Sequence, residues 1–509
     1  MTNPARGRTR WVLIGWMFVL SAIAYLNRVG ISIAGGSIEQ DFHLNQIQLG
    51  WVFSAFVLGY ALFQAPGGRL ADRFGPRRVI ALGTVWWGVF AALTGLAPTG
   101  ISGALIILLA VRFLLGMGVA VIYPASNRLV ASWIPAAERG VANGWIFAGV
   151  GAGAGIAPPL ITYILVHSGW RWSFWVTAVI GLVAGVVWFL LARDRPEQHA
   201  WVTPKEAAHI RSGLPHQPVD PSAAKAVPWG TILASKEVLL VSLSYFCFCY
   251  AANIFFTWFF IYLSTERGLD LKSSSFFSML PFVAMATCAP LGGWISDGLT
   301  KRYGKRAGRC GIAVAGLGIA ALFIALGMLA QDARLATIVL AGGAGAVYLS
   351  QSSFWSVTAG IAGPSAGSVS GVMNMVGQFG AVAAASLTPL VATHCGWPAS
   401  FLVAAGLAVV GSLAWLAVNP GRTLAPEAVL APLGRSCNMS RKSLSEGSLY
   451  ETDIICDRRS GDCAVGFSGG ETEGPAGGRS SDRGVPAGGG GFGIRRHGTT
   501  VQTARLYVA

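Results

Sequence analysis

Long apolar runs separated by short polar loops constrain this chain more than anything else in it. Taking about 20 apolar residues as one membrane crossing, twelve candidates stand at 11–34, 48–67, 79–97, 102–124, 141–165, 172–192, 237–262, 275–296, 310–329, 335–360, 367–393 and 398–418. The sequence therefore predicts an all-α membrane protein with twelve transmembrane helices. Charge supports this: only 12% of residues are charged and 53% are hydrophobic, against roughly 25% charged in soluble domains. The formal net charge of +15 would suggest nucleic acid in a soluble protein. Here the cations fill loops between apolar runs, so orientation in a bilayer explains them and no nucleic-acid partner is expected.

One loop is unusually rich in information. Gly67-Gly68-Arg69-Leu70-Ala71-Asp72-Arg73-Phe74-Gly75-Pro76-Arg77-Arg78 is a charged island between the second and third runs. Its arginines mark a cytoplasmic loop, its glycines allow tight turning and close helix approach, and Asp72 among arginines suggests a fixed contact. A weaker copy, Gly292-Gly293-Trp294-Ile295-Ser296-Asp297, follows the eighth run. Two copies in one orientation, half the hydrophobic region apart, fit two pseudo-symmetric six-helix bundles. Loops on the opposite side are poor in Lys and Arg, so both termini are expected in the cytoplasm.

The expected organisation is a cytoplasmic N-terminus over 1–10, a six-helix bundle over 11–192, a cytoplasmic inter-bundle loop over 193–236, a second bundle over 237–418, and a disordered cytoplasmic tail over 419–509. A short surface helix is expected near Pro204–Ser212. The tail, rich in Gly, Ser and Arg, lacks the apolar content for a core. The run from Trp11 is longer than a signal-peptide core and contains Arg28, so it reads as a retained first span. Eight cysteines show no Cys-x-x-Cys pair, so neither a disulfide nor a metal site is assigned, and no cofactor is expected.

Arg28 lies in the first span and Arg112 in the fourth, each about 8 residues, or ~12 Å, from the outer end. A cation in hydrocarbon costs at least ~2.5–3.5 kcal/mol on insertion scales. The sequence offers no acid within spans one to six to offset either. A transient anionic ligand in a water-filled cavity satisfies both; bonding to helix carbonyls, or snorkelling, is the structural alternative.

The first island resembles the signature loop between helices two and three of the major facilitator superfamily, and the second its degenerate copy. More broadly, much of 20–420 resembles the anion:cation symporter branch, which includes bacterial sugar-acid and phthalate carriers and the sialin and vesicular glutamate carriers. The residues that carry the likeness are Tyr25-Leu26-Asn27-Arg28, Ser54-Ala55-Phe56, Tyr60-Ala61, Gln64-x-Pro66-Gly67-Gly68, Arg112-Phe113-Leu114-Leu115-Gly116 and Tyr123-Pro124. Further matches are Trp133-Ile134-Pro135, Glu138-Arg139-Gly140, Gly169-Trp170-Arg171, Thr257-Trp258 and Tyr262-Leu263. The resemblance implies the major facilitator fold, and substrate contact by Arg28, Arg112, Tyr60, Trp355 and Asn374; packing is the alternative for Trp355. It departs at two places where proton-coupled relatives carry acids: Asn27 and Val119 stand there, and neither titrates.

Gly68, Asp72, Arg73, Gly75, Glu138, Arg139 and Asp297 are expected to latch conformations, an acid at a helix N-terminus being favoured by the helix dipole. The leading functional expectation is secondary active or facilitative uptake of small carboxylates by rocking of the two bundles, with a proton or sodium ion as possible coupling cation. Efflux of neutral or cationic compounds and a transport-inactive receptor or scaffold are the alternatives. No nucleotide-binding loop and no catalytic constellation stands in the spans.

Overall fold

The computed structural model describes residues 8–214, 227–269, 274, 276–424, 452–456 and 463–467. In the first half, α1 (Thr9–Asp41) is followed by α2 (Gln46–Leu62), α3 (Gln64–Phe74), α4 (Pro76–Gly95), α5 (Ala104–Ala120), α6 (Ile122–Trp133), α7 (Arg139–Ser168) and α8 (Trp170–Leu191). Two short helices follow, α9 (Pro204–Gly213) and α10 (Trp229–Ala234). The second half contains α11 (Lys236–Thr257), α12 (Leu280–Lys305), α13 (Gly311–Leu329), α14 (Ala333–Ala362), α15 (Ala366–Cys395) and α16 (Trp397–Leu416). With α2–α3 and α5–α6 each counted as one broken span, these make twelve crossings in two bundles of six.

Proline places both breaks. Pro66 and Pro124 have no N–H to return to Leu62 and Ala120, the last residues of α2 and α5, so the i→i−4 ladder is interrupted there; α2 and α3 bend by 42°. Helices are the answer to lipid because they satisfy their own backbone groups. Outward-facing side chains are accordingly apolar, as at Leu82, Ile106, Val166 and Leu329. Polar side chains such as Asn127, Asn143, Gln351 and Asn374 are buried inside.

The first helix is longer than its apolar run and carries Glu39 and Asp41. Its far end is tied to the start of α8, where the Trp170 indole (2.8 Å) and Arg171 guanidinium (2.6 Å) donate to Asp41. Arg28 is therefore about 20 Å from the end of its helix and not ~12 Å, while Arg112 keeps the expected depth in α5.

The surface helix forms as α9, with Thr203 capping it through the Glu206 amide and Pro204 at its first turn. Its Glu206 is buried and accepts from the Thr9 and Arg10 amides at 3.4 and 3.2 Å, which makes it the cap of α1. The residues just beyond the last span are ordered, against the expectation for 419–509: Leu424 N–H donates to the Ile361 carbonyl (2.8 Å), and Arg422 reaches Glu237 (3.4 Å). A separate unit contains β1 (Thr452–Cys456) antiparallel to β2 (Cys463–Phe467), with Ile454 opposite Val465. Apart from those strands, the disorder expected over 434–509 falls outside the described residues.

Candidate functional site

At the end that bears the charged islands the two bundles are in direct contact. There Asp72 accepts hydrogen bonds from Gly367 N–H (2.9 Å), Ser368 N–H (2.7 Å) and the Ser368 hydroxyl (2.6 Å), at the first turn of α15. Asp297 does the same for α7, accepting from Gly140 N–H (2.9 Å) and Val141 N–H (2.7 Å). Each bundle thus offers an acid to a helix N-terminus of the other, where the dipole favours negative charge. Arg128 stands 3.7 Å from Asp72, and Arg309 pairs with Asp297 while donating to the Ala136 carbonyl across the seam at 2.9 Å. The glycines permit this proximity. A Cβ on Gly68 would land on the Gly367 carbonyl, and one on Gly293 on the Gly140 carbonyl.

Further polar bonds join the bundles in the same half: Asn127 to Thr358 (3.0 Å), Asn143 to Ser356 (3.3 Å) and Asn374 to Gln64 (2.7 Å). The connecting segment takes part as well. Val227 donates its N–H to Ser365 of the second bundle (3.0 Å), and its carbonyl accepts from Arg69 of the first (2.8 Å).

Above this seam lies a cavity of about 50 Å³, walled by both bundles. From the first bundle come Tyr25, Arg28 and Tyr60, and from the second Tyr245, Gln351 and Asn374. Arg28 has no carboxylate partner among the described residues; its guanidinium lies 5.5 Å from the Tyr25 ring centre and 5.4 Å from that of Tyr60. Arg112 does not line the cavity. It is 1% exposed, its Nε and Nη1 lack hydrogen-bond partners, and its guanidinium sits 5.0 Å over Phe56. Phe56 stacks on Tyr60 at 6.0 Å, so a column of two rings separates the two arginines. Such cation–π contacts soften a buried charge but do not replace a counter-ion.

Of the substrate residues named from the sequence, Arg28, Tyr60 and Asn374 therefore share one cavity, and Arg112 stands behind its wall. Trp355 is also behind the lining, packed on Phe147 (5.0 Å) and Tyr123 (6.1 Å), with its indole N–H unpartnered. Asn27 is buried with neither side-chain polar atom bonded, and Val119 is packed in the core.

Among the residues expected to latch, Asp72, Asp297 and Gly68 meet the opposite bundle. Arg73 is exposed and stacks only on neighbouring Phe74 (5.2 Å). Gly75 has φ 87° and caps the start of α4, where a Cβ would strike the Asp194 carboxylate just beyond α8. Glu138 pairs with Arg10 (3.0 Å) and with His209 of α9 (2.8 Å), and Arg139 bonds the Ala131 carbonyl near the end of α6 and the Ile134 carbonyl just beyond it. Burial disfavours the Glu138 carboxylate, but His209 and Arg10 outweigh it and hold its pKa below the ordinary value. The seam uses Arg128, Arg309 and Ser368 instead, which the sequence reading did not single out. Gln351 and Gln378 were missed too. Their signal is a polar cluster inside an apolar run, Ser350-Gln351-Ser352-Ser353, and the four-residue spacing of Asn374 and Gln378, which puts both on one helix face.

Residues 17–385 match the family model described as Major Facilitator Superfamily. The chain belongs to the major facilitator superfamily. It is 34% identical over 417 residues to a probable sulfoacetate transporter of Cupriavidus necator, covering 82% of this chain and 95% of that one. A hexuronate transporter of Bacillus subtilis is 31% identical over 408 residues, covering 79% and 93%. Among solved structures, the proton:xylose symporter XylE, bound to 6-bromo-6-deoxy-D-glucose, superposes with a TM-score of 0.64 at 16% identity, over 83% of this chain and 99% of that one. The superfamily fold makes this a multi-pass membrane transporter, and its matched region takes in both charged islands and every cavity residue named above.

Proposed function

We propose that this superfamily member carries small organic anions inward across the cell membrane by alternating access, with both termini in the cytoplasm. One observation carries the reading: Arg28 stands in a cavity between the bundles without a carboxylate partner among the described residues. Arg112, buried and under-bonded, adds positive potential behind the Phe56–Tyr60 wall. A carboxylate or sulfonate entering the cavity supplies the missing counter-charge through paired N–H···O bonds, which a planar guanidinium forms well. The relatives named for sulfoacetate and hexuronate support the same class of cargo.

In the mechanism that follows, substrate binds while the basic end is sealed by Asp72 and Asp297 and the Asn127, Asn143 and Gln64 contacts. Rocking of one bundle against the other breaks these bonds together, so the acids and helix N-termini separate and the cavity opens to the cytoplasm. Coupling departs from a carboxylate relay. Asn27 and Val119 do not titrate, so neither carries a coupling proton; transport is facilitated diffusion or exchange, or draws on another cation.

Purified protein in liposomes tests this directly, with labelled sulfoacetate, glucuronate and lactate as cargo. Saturable uptake that Arg28→Ala abolishes is the expected result; uptake of neutral sugars alone, or of nothing by correctly folded protein, overturns it. For coupling, an inward proton gradient at zero membrane potential is expected to give downhill equilibration without proton entry. Accumulation with matching proton entry overturns the uncoupled mechanism.

A further inference from the structure

Two glutamines of the second bundle reach the cavity that holds Arg28: Gln351 on α14 and Gln378 on α15. They are 1% and 6% exposed. Each spends its amide nitrogen inside the protein. Gln351 Nε2 donates to the Tyr245 hydroxyl (3.1 Å), and Gln378 Nε2 donates to Asn374 Oδ1 (3.4 Å). The second chain continues in the same direction, because Asn374 Nδ2 donates to Gln64 Oε1 at 2.7 Å. The open ends are therefore the two glutamine oxygens, and neither has a partner. Buried acceptors left unpaired are costly, and a ligand that donates to them removes the cost.

Arg28 is the one cation among the described residues lining this cavity, and no acid lines it. Beside that one cation stand two unpaired amide oxygens, buried at the cavity wall, and each kind of ligand meets that arrangement differently. A single carboxylate matches Arg28. A second carboxylate finds no second cation, only neutral donors such as the Tyr25, Tyr60 and Tyr348 hydroxyls, and a methylene would leave both acceptors unpaired. A hydroxyl donates to them, and it satisfies a side-chain amide whichever of its two ends faces the ligand. The cavity, at about 50 Å³, has room for only a few water-sized groups.

We propose that the cavity selects short hydroxy acids carrying one negative charge, with Gln351 and Gln378 as the residues that read the hydroxyl groups. The inference rests on the anion-carrier reading and narrows it. It also gives the substrate a bridging position, with its charge on the first bundle and its hydroxyls on the second.

Three acids with the same carbon count test it in liposomes: D-glycerate, propionate and malonate. The expected KM for glycerate is about tenfold or more below the other two, since a site that hydrogen-bonds a hydroxyl rejects analogues without it. Gln351→Met and Gln378→Met are each expected to erase most of that preference, raising the glycerate KM and lowering the propionate KM, because the unpaired acceptor is gone. The wild-type ratio remains decisive if either variant fails to fold. Arg28-dependent uptake of all three acids with equal KM overturns this proposal and leaves anion transport standing. A preference for malonate, or transport of sulfoacetate with none of the three, overturns it as well. Uptake of no anion at all removes both readings together.

Discussion

Asp72 and Ser368, 296 residues apart in the chain, are joined by two hydrogen bonds to the same carboxylate oxygen, one from the serine amide (2.7 Å) and one from its hydroxyl (2.6 Å). The carboxylate lies at the N-terminus of α15, where charge-assisted bonds and the helix dipole act together. Asp297 repeats the arrangement at α7. Asp72→Asn keeps the shape and removes the charge, and it is expected to populate the state open at the basic end. Labelling of an Ala136→Cys reporter by a membrane-impermeant thiol reagent should rise about fivefold or more, a change of roughly 1 kcal/mol. Unchanged labelling with full turnover would show that the contact does not set the balance.

Gly68 and Gly293 make a second, steric test of the same seam. Each packs its Cα against a carbonyl of the opposite bundle, leaving no space for a methyl group. Gly68→Ala and Gly293→Ala should each disfavour the closed basic end and lower uptake at least tenfold, overpacking typically costing about 1–3 kcal/mol. Alanine at Gly298, where a Cβ meets nothing, is the control and should leave uptake unchanged.

Arg112 separates stability from function. An under-bonded buried guanidinium is destabilising, and apolar replacement of a buried charge is often neutral or stabilising. Arg112→Met is therefore expected to hold or raise the melting temperature of the ligand-free carrier while abolishing saturable anion uptake. Arg112→Lys should rescue uptake poorly, because the planar guanidinium that stacks on Phe56 is lost. A variant that transports normally would remove Arg112 from the substrate machinery.

Acid should loosen the fastening of α9. The Glu138 carboxylate has a folded-state pKa below its ordinary 4.5. Its stabilisation is thus complete above the unfolded value and is lost as pH falls through the lower folded value. Cleavage within 204–214 by an acid-active protease should accelerate below about pH 4.5, and Glu138→Gln should show faster trypsin cleavage already at neutral pH. Equal cleavage of wild type and variant at neutral pH would dissociate Glu138 from the fastening.

Truncation defines where the carrier ends. Leu424 N–H is bonded to Ile361, so a chain stopped after residue 425 retains that contact and should insert and transport as the full chain does. A stop after residue 420 loses the contact, and the thermal stability of the inserted protein should fall by about 1 kcal/mol. Loss of transport by the longer truncation, in properly inserted protein, would assign a function to the tail.

Much of this architecture is legible in one dimension. A membrane span is set by local apolar content, so the runs and the Gly-Gly islands were sufficient for the helices and their pairing into two bundles. Prolines at 66 and 124 carry their own consequence, since a missing N–H breaks a ladder wherever it falls. Arg28 was legible because a charge in an apolar run demands a reason, whereas Asn374 was named only through the family resemblance.

The partners were a different matter. Arg73 stands beside Asp72 in sequence, yet it is Arg128, from α6, that approaches the carboxylate; Arg112 resembles Arg28 on paper, yet only Arg28 reaches the cavity. Sequence by itself determined which segments cross the membrane and which residues there are costly to bury. Only the tertiary structure decided which of them face each other, because that depends on each helix's rotation about its own axis and on close crossings at Gly68 and Gly293, and these are fixed by packing between segments hundreds of residues apart.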